Sequence, residues 1–339
     1  MSATRDVIAD TGVGGFNASS WAGSGLVRDL RRIVPTGVAT DVPLRGISRW
    51  RIGGPADVLV RPRSIEDISR LREFLHRRRI PHVVIGSTSN LLFDDAGLRA
   101  VCIQIGEPLA HVTIAGTRMT VGSGAWVPCL ARRAMQSGLS GVAHICGIPG
   151  TMGGLVCMNG GSQRQCIGTV VASVTSVGLT GEIHHRAGSA CGFGYRQSIF
   201  QDNGEVIAEV VLDLGVAPDR DALRREMLQI MASRRRKFPQ KQPNCGSVFK
   251  SNPAMYDQFG PPGAIIERLG FKGRRIGGAR VSETHANFIV NDGDATARDV
   301  LQLIREIRRA VFAHSTHSMD VEVRFVSEEG HIVTPNREH

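Results

Sequence analysis

His82-Val83-Val84-Ile85-Gly86-Ser87-Thr88-Ser89-Asn90-Leu91-Leu92 sets a short β-branched run directly before a loop of small residues. The apolar run reads as a buried strand and the glycine–serine stretch as a turn. Toward the N-terminus, Pro81 ends a helix that begins after Ser64, with Asp67 three residues on, as in a capping box. Ile65, Ile68, Leu71 and Leu75 give that helix one apolar face, and Val58-Leu59-Val60 reads as the strand before it. Strand, helix, strand and loop make a β-α-β unit, the building block of an α/β lobe.

A second small-residue loop, Gly147-Ile148-Pro149-Gly150-Thr151-Met152-Gly153-Gly154, runs on into Met158-Asn159-Gly160. It lies in a second β/α region from about Val101 to Leu214, where Thr169 to Leu179 and Val206 to Leu214 read as strands. Asp219 to Lys237 reads as a helix with Leu223, Met227, Ile230 and Met231 on one side, and a boundary falls before it at Gly215 to Pro218. A third lobe then holds a loop from Pro239 to Pro253, a helix from Thr296 to His314 and a final strand from Asp320 to Val326. Thr11 to Gly25 has loop composition, and Leu26 to Val34 suits a short amphipathic helix. The expected parts are 1–40 as an extension, 41–100 and 101–217 as two α/β subdomains, 218–327 as an α+β domain and 328–339 as a tail.

Composition narrows the function classes. A chain of 339 residues is too long for one ordinary core. Its 42% hydrophobic and 21% charged residues are those of a soluble globular protein. The net charge of +10 calls for anionic partners. Aromatics at 5% are too few to stack on bases, so nucleic acid is not expected. The basic runs Arg77-Arg78-Arg79 and Arg234-Arg235-Arg236-Lys237 sit at predicted helix ends, and phosphorylated small molecules account for the charge as well. Seven cysteines without a CxxC pair give no support to a metal site or dithiol chemistry and suit reduced thiols in a cytoplasm. Met1 to Asp10 lacks the apolar core of a signal peptide, and no run reaches the length of a membrane span.

Backbone N–H groups in loops of small residues converge readily on a pyrophosphate, and the hydroxyls of Ser89 and Thr151 would add donors. Neither loop is the GxGxxG fingerprint, and each by itself reads equally well as a structural turn. Their order is more specific. Arg51-Ile52-Gly53-Gly54-Pro55-Ala56 comes first, then the serine–asparagine loop, then Gly122-Ser123-Gly124-Ala125, then Gly147 to Gly154. Tyr195-Arg196-Gln197-Ser198 and Lys237-Phe238-Pro239 follow, then Gly246-Ser247-Val248-Phe249-Lys250. Gly273 to Ala279, Ser282 to Asn291 and Asp320-Val321-Glu322-Val323-Arg324 complete the series. From about residue 42 to 326 this pattern resembles the UDP-N-acetylenolpyruvoylglucosamine reductase family.

The resemblance implies an α+β fold. Two α/β FAD-binding subdomains of the vanillyl-alcohol-oxidase-like type would be followed by a C-terminal α+β substrate domain. FAD would be held non-covalently, since the 86–90 loop has no histidine or cysteine to tether it. Its contacts would come from Gly53, Gly54, Pro55, Gly86, Ser87, Ser89, Asn90, Leu91, Gly124, Gly147, Ile148, Gly150, Thr151, Gly153, Gly154 and Ile207. NADPH would be the reductant. Hydride would pass by way of FAD to C3 of the enolpyruvyl ether of UDP-N-acetylglucosamine, giving UDP-N-acetylmuramate for peptidoglycan. That addition puts negative charge on C2 and its carboxylate, which calls for a cation and a hydrogen-bonding acid, and C2 then needs a proton. Carried over to this chain, Arg196 is the cation, Glu322 its partner and Ser247 the proton donor, with Tyr195, Lys237 and Asn291 as substrate contacts. Apart from the resemblance, Arg196 reads as a surface ion-pair residue and Ser247 as a turn serine. Glu322 lies on the strand face opposite Val321, Val323 and Phe325, which fits solvent or a site equally. His285 reads as structural rather than catalytic. No tyrosine stands between Arg196 and Ser247, which implies the subtype without a tyrosine-bearing lid. A cytoplasmic monomer is expected.

Three stretches depart from the family: Gly141 to Cys146, which lacks the usual acidic residue, Gly160 to Gly168, and Ser87-Thr88 where glycines are usual. They leave open a paralogous flavin oxidoreductase acting on a related nucleotide sugar. A flavin-binding protein without catalysis is a third reading, against which stands the joint presence of Arg196, Ser247 and Glu322.

Overall fold

The computed structural model describes residues 23–335. The first lobe runs through α1 (Ser24–Ile33), β1 (Val38–Pro43), β2 (Pro55–Val60), α2 (Ile65–Arg77), β3 (His82–Ile85), β4 (Leu91–Phe93) and β5 (Leu98–Gln104). Its sheet has the order β1-β2-β5-β3; β2 and β3 flank β5 in parallel, and β1 is antiparallel at the edge. The Ser64 hydroxyl accepts the Asp67 N–H at 3.1 Å, whereas the Asp67 carboxylate accepts the N–H of Arg63 rather than that of the cap. Ile68, Leu71 and Leu75 of α2 are fully buried.

The lobe begins earlier than residue 41. Leu30 of α1 and Val34 just after it are fully buried in the core of α2 and β2, and β1 pairs along β2. An amphipathic stripe without a core of its own is stabilised only by docking on a neighbour. Residues 11–22 of the expected N-terminal loop lie outside the described residues, as do 336–339 of the expected tail.

The middle lobe comprises β6 (Val112–Ala115), β7 (Arg118–Gly122), α3 (Val127–Gln136), β8 (Leu139–Ser140), α4 (Met152–Cys157), β9 (Val171–Val177), β10 (Ile183–Ala187), β11 (Val206–Asp213) and β12 (Gly215–Val216). Its main sheet, β10-β9-β11-β7-β6, is antiparallel throughout. Helix α5 (Arg220–Lys237) also belongs here. It buries Leu223, Met227 and Ile230 in the core shared with α3 and β11, and leaves Met231 38% exposed. The boundary read at Gly215 to Pro218 is a turn within this lobe; the next core starts at Cys245.

The third lobe contains α6 (Tyr256–Phe259), α7 (Pro262–Arg268), β13 (Arg275–Ile276), β14 (Ala279–Val281), β15 (Ile289–Asn291), α8 (Ala297–Ser315), β16 (Arg324–Val326) and β17 (Ile332–Val333). Helix α8 starts with a capping box between Thr296 and Asp299 and packs Val300, Leu303, Ile304, Ile307 and Val311 into the core. The expected strand from Asp320 is regular only over β16. That strand runs parallel to β4, pairing Arg324 with Leu91, while β17 of the expected tail pairs on its other side. The chain's end is thereby laid beside the first small-residue loop. Between Arg196 and Ser247 the described chain holds β11, β12, α5 and short connections, with no inserted lid.

Candidate active site

The two small-residue loops meet. A Cβ on Gly86 would run into the Thr151 hydroxyl, and one on Gly150 would stand 3.4 Å from Ser89 Oγ. In the first loop the N–H groups of residues 87–90 have no protein acceptor among the described residues. Four donors without a protein partner in one small-residue loop suit an anion. The other predicted glycines also lie close against the protein. Gly53, at φ +127, and Gly54 lie against the Phe93 to Gly97 turn, Gly124 against the Gly106 carbonyl, and Gly147 against the Arg234 side chain. Gly153 donates its N–H to the Ser123 carbonyl at 2.8 Å. Pro55 opens β2, exposed. Ile207 is 6% exposed in the middle-lobe core. Its side chain is thus committed there, beside the register shift between residues 207 and 209.

Arg196 sits on a tight turn closed by the Gly194–Gln197 bridge, at φ +55. Ser198 Oγ and Gln201 Nε2 both donate to the Cys157 carbonyl, and Gln201 also donates to the Arg196 carbonyl, fixing the turn on the end of α4. Held so, Arg196 Nε meets Glu322 Oε1 at 2.7 Å and Nη2 meets the Gly161 carbonyl at 3.2 Å. Glu322 faces Arg196, with its side chain only 16% exposed. Its backbone N–H donates to the Val248 carbonyl at 2.7 Å, beside Ser247, and its carbonyl accepts from Asn90 Nδ2 at 3.0 Å. Arg196, Glu322, the serine segment and the first loop are therefore one connected unit. Burial pushes the Glu322 carboxyl above the usual carboxylate range, against the opposing pull of Arg196 and Lys250. The Ser247 hydroxyl has no hydrogen-bond partner among the described residues.

The expected substrate contacts fare differently. Tyr195 is exposed, its ring 5.4 Å from the Arg196 guanidinium and its hydroxyl accepting the Ser251 N–H. Lys237 is exposed at the end of α5, near His285, whose imidazole is pushed down by burial and then by Lys272. Asn291 is spent within the protein. Its amide donates to the carbonyls of Trp50 and Arg51 and accepts the N–H groups of Gly293 and Ala295, so its side chain is paired within the protein.

Several supporting residues carried no assigned role in the sequence. Asn159, 2% exposed, bonds the Gly194 carbonyl and the Gly168 N–H and so braces the Arg196 turn; the Met158-Asn159-Gly160 motif was its only signal. Lys250 closed the Gly246 to Lys250 motif and Gly161 lay in the divergent Gly160 to Gly168 stretch, neither with a role. No cluster of metal-ligating side chains occurs among the described residues, and no helix among them is long and apolar enough to cross a membrane.

Comparison with known proteins decides the family. Residues 56–186 match the model of an FAD binding domain, and residues 238–326 match that of the UDP-N-acetylenolpyruvoylglucosamine reductase C-terminal domain. A reductase of that name, numbered 1, from Corynebacterium glutamicum is 45% identical over 292 residues, covering 86% of this chain and 87% of that protein. The chain belongs to the UDP-N-acetylenolpyruvoylglucosamine reductase family. Reductase 2 of Symbiobacterium thermophilum is 38% identical over 89% of this chain and 96% of its own. The crystal structure of the Thermus caldophilus reductase superposes with a TM-score of 0.72 at 30% identity, over 85% of this chain and 97% of that one. The reductase C-terminal model begins at residue 238, where α5 has just ended, in keeping with α5 packing on the middle lobe. FAD is the cofactor of this family, and the unpaired N–H groups of residues 87–90 against the Thr151 loop fit its pyrophosphate.

Proposed function

We propose that this protein is the NADPH-driven, FAD-dependent reductase that converts UDP-N-acetylglucosamine enolpyruvate to UDP-N-acetylmuramate. Arg196, Glu322 and Ser247 are its catalytic residues, the loops at 86–91 and 147–154 its FAD contacts, and Tyr195 and Lys237 its substrate contacts. The observation that carries this is the Arg196–Glu322 pair, bonded on one side to Asn90 of the FAD loop and on the other to the serine segment. FAD, held by the loops at 86–91 and 147–154, would supply the hydride relay from NADPH to C3 of the enolpyruvyl ether. The chain's own residues manage the charge that follows. Arg196, anchored by Glu322 and the Gly161 carbonyl, presents its positive charge where the substrate carboxylate gains electron density. Glu322, whose carboxyl keeps its proton more readily than an exposed glutamate, donates a hydrogen bond to the same carboxylate. Ser247, with its hydroxyl unengaged, gives its proton to C2. A hydroxyl is a weak acid, so it suits only a strongly basic, carbanion-like centre.

Within the divergent Gly160 to Gly168 segment, the Gly161 carbonyl holds Arg196, as this reading requires. The reading puts the enzyme in the cytoplasm as a monomer, and its product in wall growth, cell shape and division. The test is to mix purified holoenzyme with NADPH and the enolpyruvyl substrate. One UDP-N-acetylmuramate per NADPH consumed is expected. No consumption with this substrate, but turnover with a related nucleotide sugar, would establish the paralogue.

A further inference from the structure

The loop from Gly86 to Asn90 holds a residue that its backbone disfavours. Thr88 stands at φ +56, a left-handed conformation that suits glycine and penalises β-branched side chains. Yet Thr88 is only 3% exposed and its hydroxyl is fully engaged. It accepts the Arg49 N–H at 3.0 Å and shares its own proton between the carbonyls of Ile47 at 3.0 Å and Ser87 at 2.8 Å. Its carbonyl is fixed as well, accepting the Leu91 N–H and the buried Cys245 thiol, each at 3.3 Å. Around it, the N–H groups of residues 87–90 find no protein acceptor. A loop of unpaired donors does not hold its own shape, and a strained residue persists only where its surroundings over-determine it.

We propose that Thr88 is a positioning residue whose hydroxyl latches the loop onto the Ile47–Arg49 turn, so that the loop's N–H groups already converge on the pyrophosphate before FAD binds. The inference rests on the reading of this loop as an FAD contact. Preorganisation of this kind lowers the ordering cost of binding and appears in cofactor affinity more than in global stability.

The test is titration of FAD into the deflavinated full-length chain, with Kd read from flavin fluorescence and the melting temperature of the deflavinated protein recorded beside it. Thr88→Val keeps the shape and removes the latch, and its Kd should rise at least about tenfold. Thr88→Gly relieves the strain but also lacks the hydroxyl. Its melting temperature should be level with or above native, while its Kd rises as in the valine variant. Thr88→Ser restores the hydroxyl and should bring Kd back to within about threefold of native. A native Kd in Thr88→Val, or rescue by glycine as complete as by serine, overturns the latch. Gly86→Val, which crowds Thr151, then separates the two ideas: weakened binding there keeps the loop as an FAD contact, and native binding removes that assignment too. Should the valine variant fail to fold, the glycine–serine comparison still decides.

Discussion

Replacing Ser247 with alanine should damage one half of the catalytic cycle and little else. The hydroxyl has no hydrogen-bond partner among the described residues, so its removal orphans no buried group. The turn is shaped by its neighbours. Gly246 sits at φ +81 with its N–H on Asn244 Oδ1 at 3.0 Å, Val248 is fully buried, and the Val248 carbonyl accepts from Glu322. The stability change should therefore stay within about 0.5 kcal/mol, as for ordinary substitutions away from networks. Losing a general acid costs about 10²- to 10⁴-fold in rate, or roughly 2.7–5.4 kcal/mol of barrier at 1.36 kcal/mol per decade. The chemical effect is thus several times larger than any effect on folding, and the two are separable. Anaerobic stopped-flow measurement resolves them: bleaching of the flavin by NADPH should be nearly native, and its reoxidation by the enolpyruvyl substrate slowed by at least about 10². Equal slowing of both halves, or a fall of many degrees in Tm, would refute the proton-donor role and make Ser247 a folding or binding residue.

Gly153→Asp should abolish FAD retention. Its Cβ would stand 3.0 Å from Ser123 Cβ, and its carboxylate would repel a pyrophosphate at the loop by several kcal/mol or more in a partly dry site; native flavin content in the purified variant would contradict it. Lys237→Ala should raise KM more than it lowers kcat, and the affinity of the native enzyme for substrate should fall with salt, as for exposed charges; an unchanged KM would remove Lys237 from the site. Acid should weaken the first lobe through His82. Its Nδ1–H donates to the Ile80 carbonyl at 3.0 Å, its Nε2 accepts from Arg72, and burial drives its pKa to about 4 from 6.5. The unfolded chain then binds a proton that the folded one refuses. Stability is complete above about pH 6.5 and is lost as pH falls toward 4, by up to about 3 kcal/mol. Denaturant melts of native and His82→Asn protein at pH 7 and pH 4.5 check this, and an identical acid slope in the two would rule His82 out.

The sequence alone determined several helices and strands, among them α2, β3, α5 and α8, and which loops are built of small residues. These properties rest on local periodicity and capping, as the burial of Ile68, Leu71 and Leu75 on α2 and the Thr296 capping box of α8 show. It also carried the motif order that marks the family. Other features depended on where the chain returns in space. An apolar stripe says that a helix will dock, not where, so α1 joined the first lobe and α5 the middle one. Alternation around Glu322 said only that it lies opposite Val321 and Val323; the pairing of β16 with β4 turned that face toward Arg196 and away from water. Asn291 lies in a motif, yet its amide is consumed by the Trp50–Arg51 turn. Thr88 departed from glycine in the linear pattern, and only the proximity of the Ile47–Arg49 turn shows what its hydroxyl holds. Local preference acts over a few residues, whereas these contacts join segments far apart in the chain, and their partners exist only once the three lobes have packed.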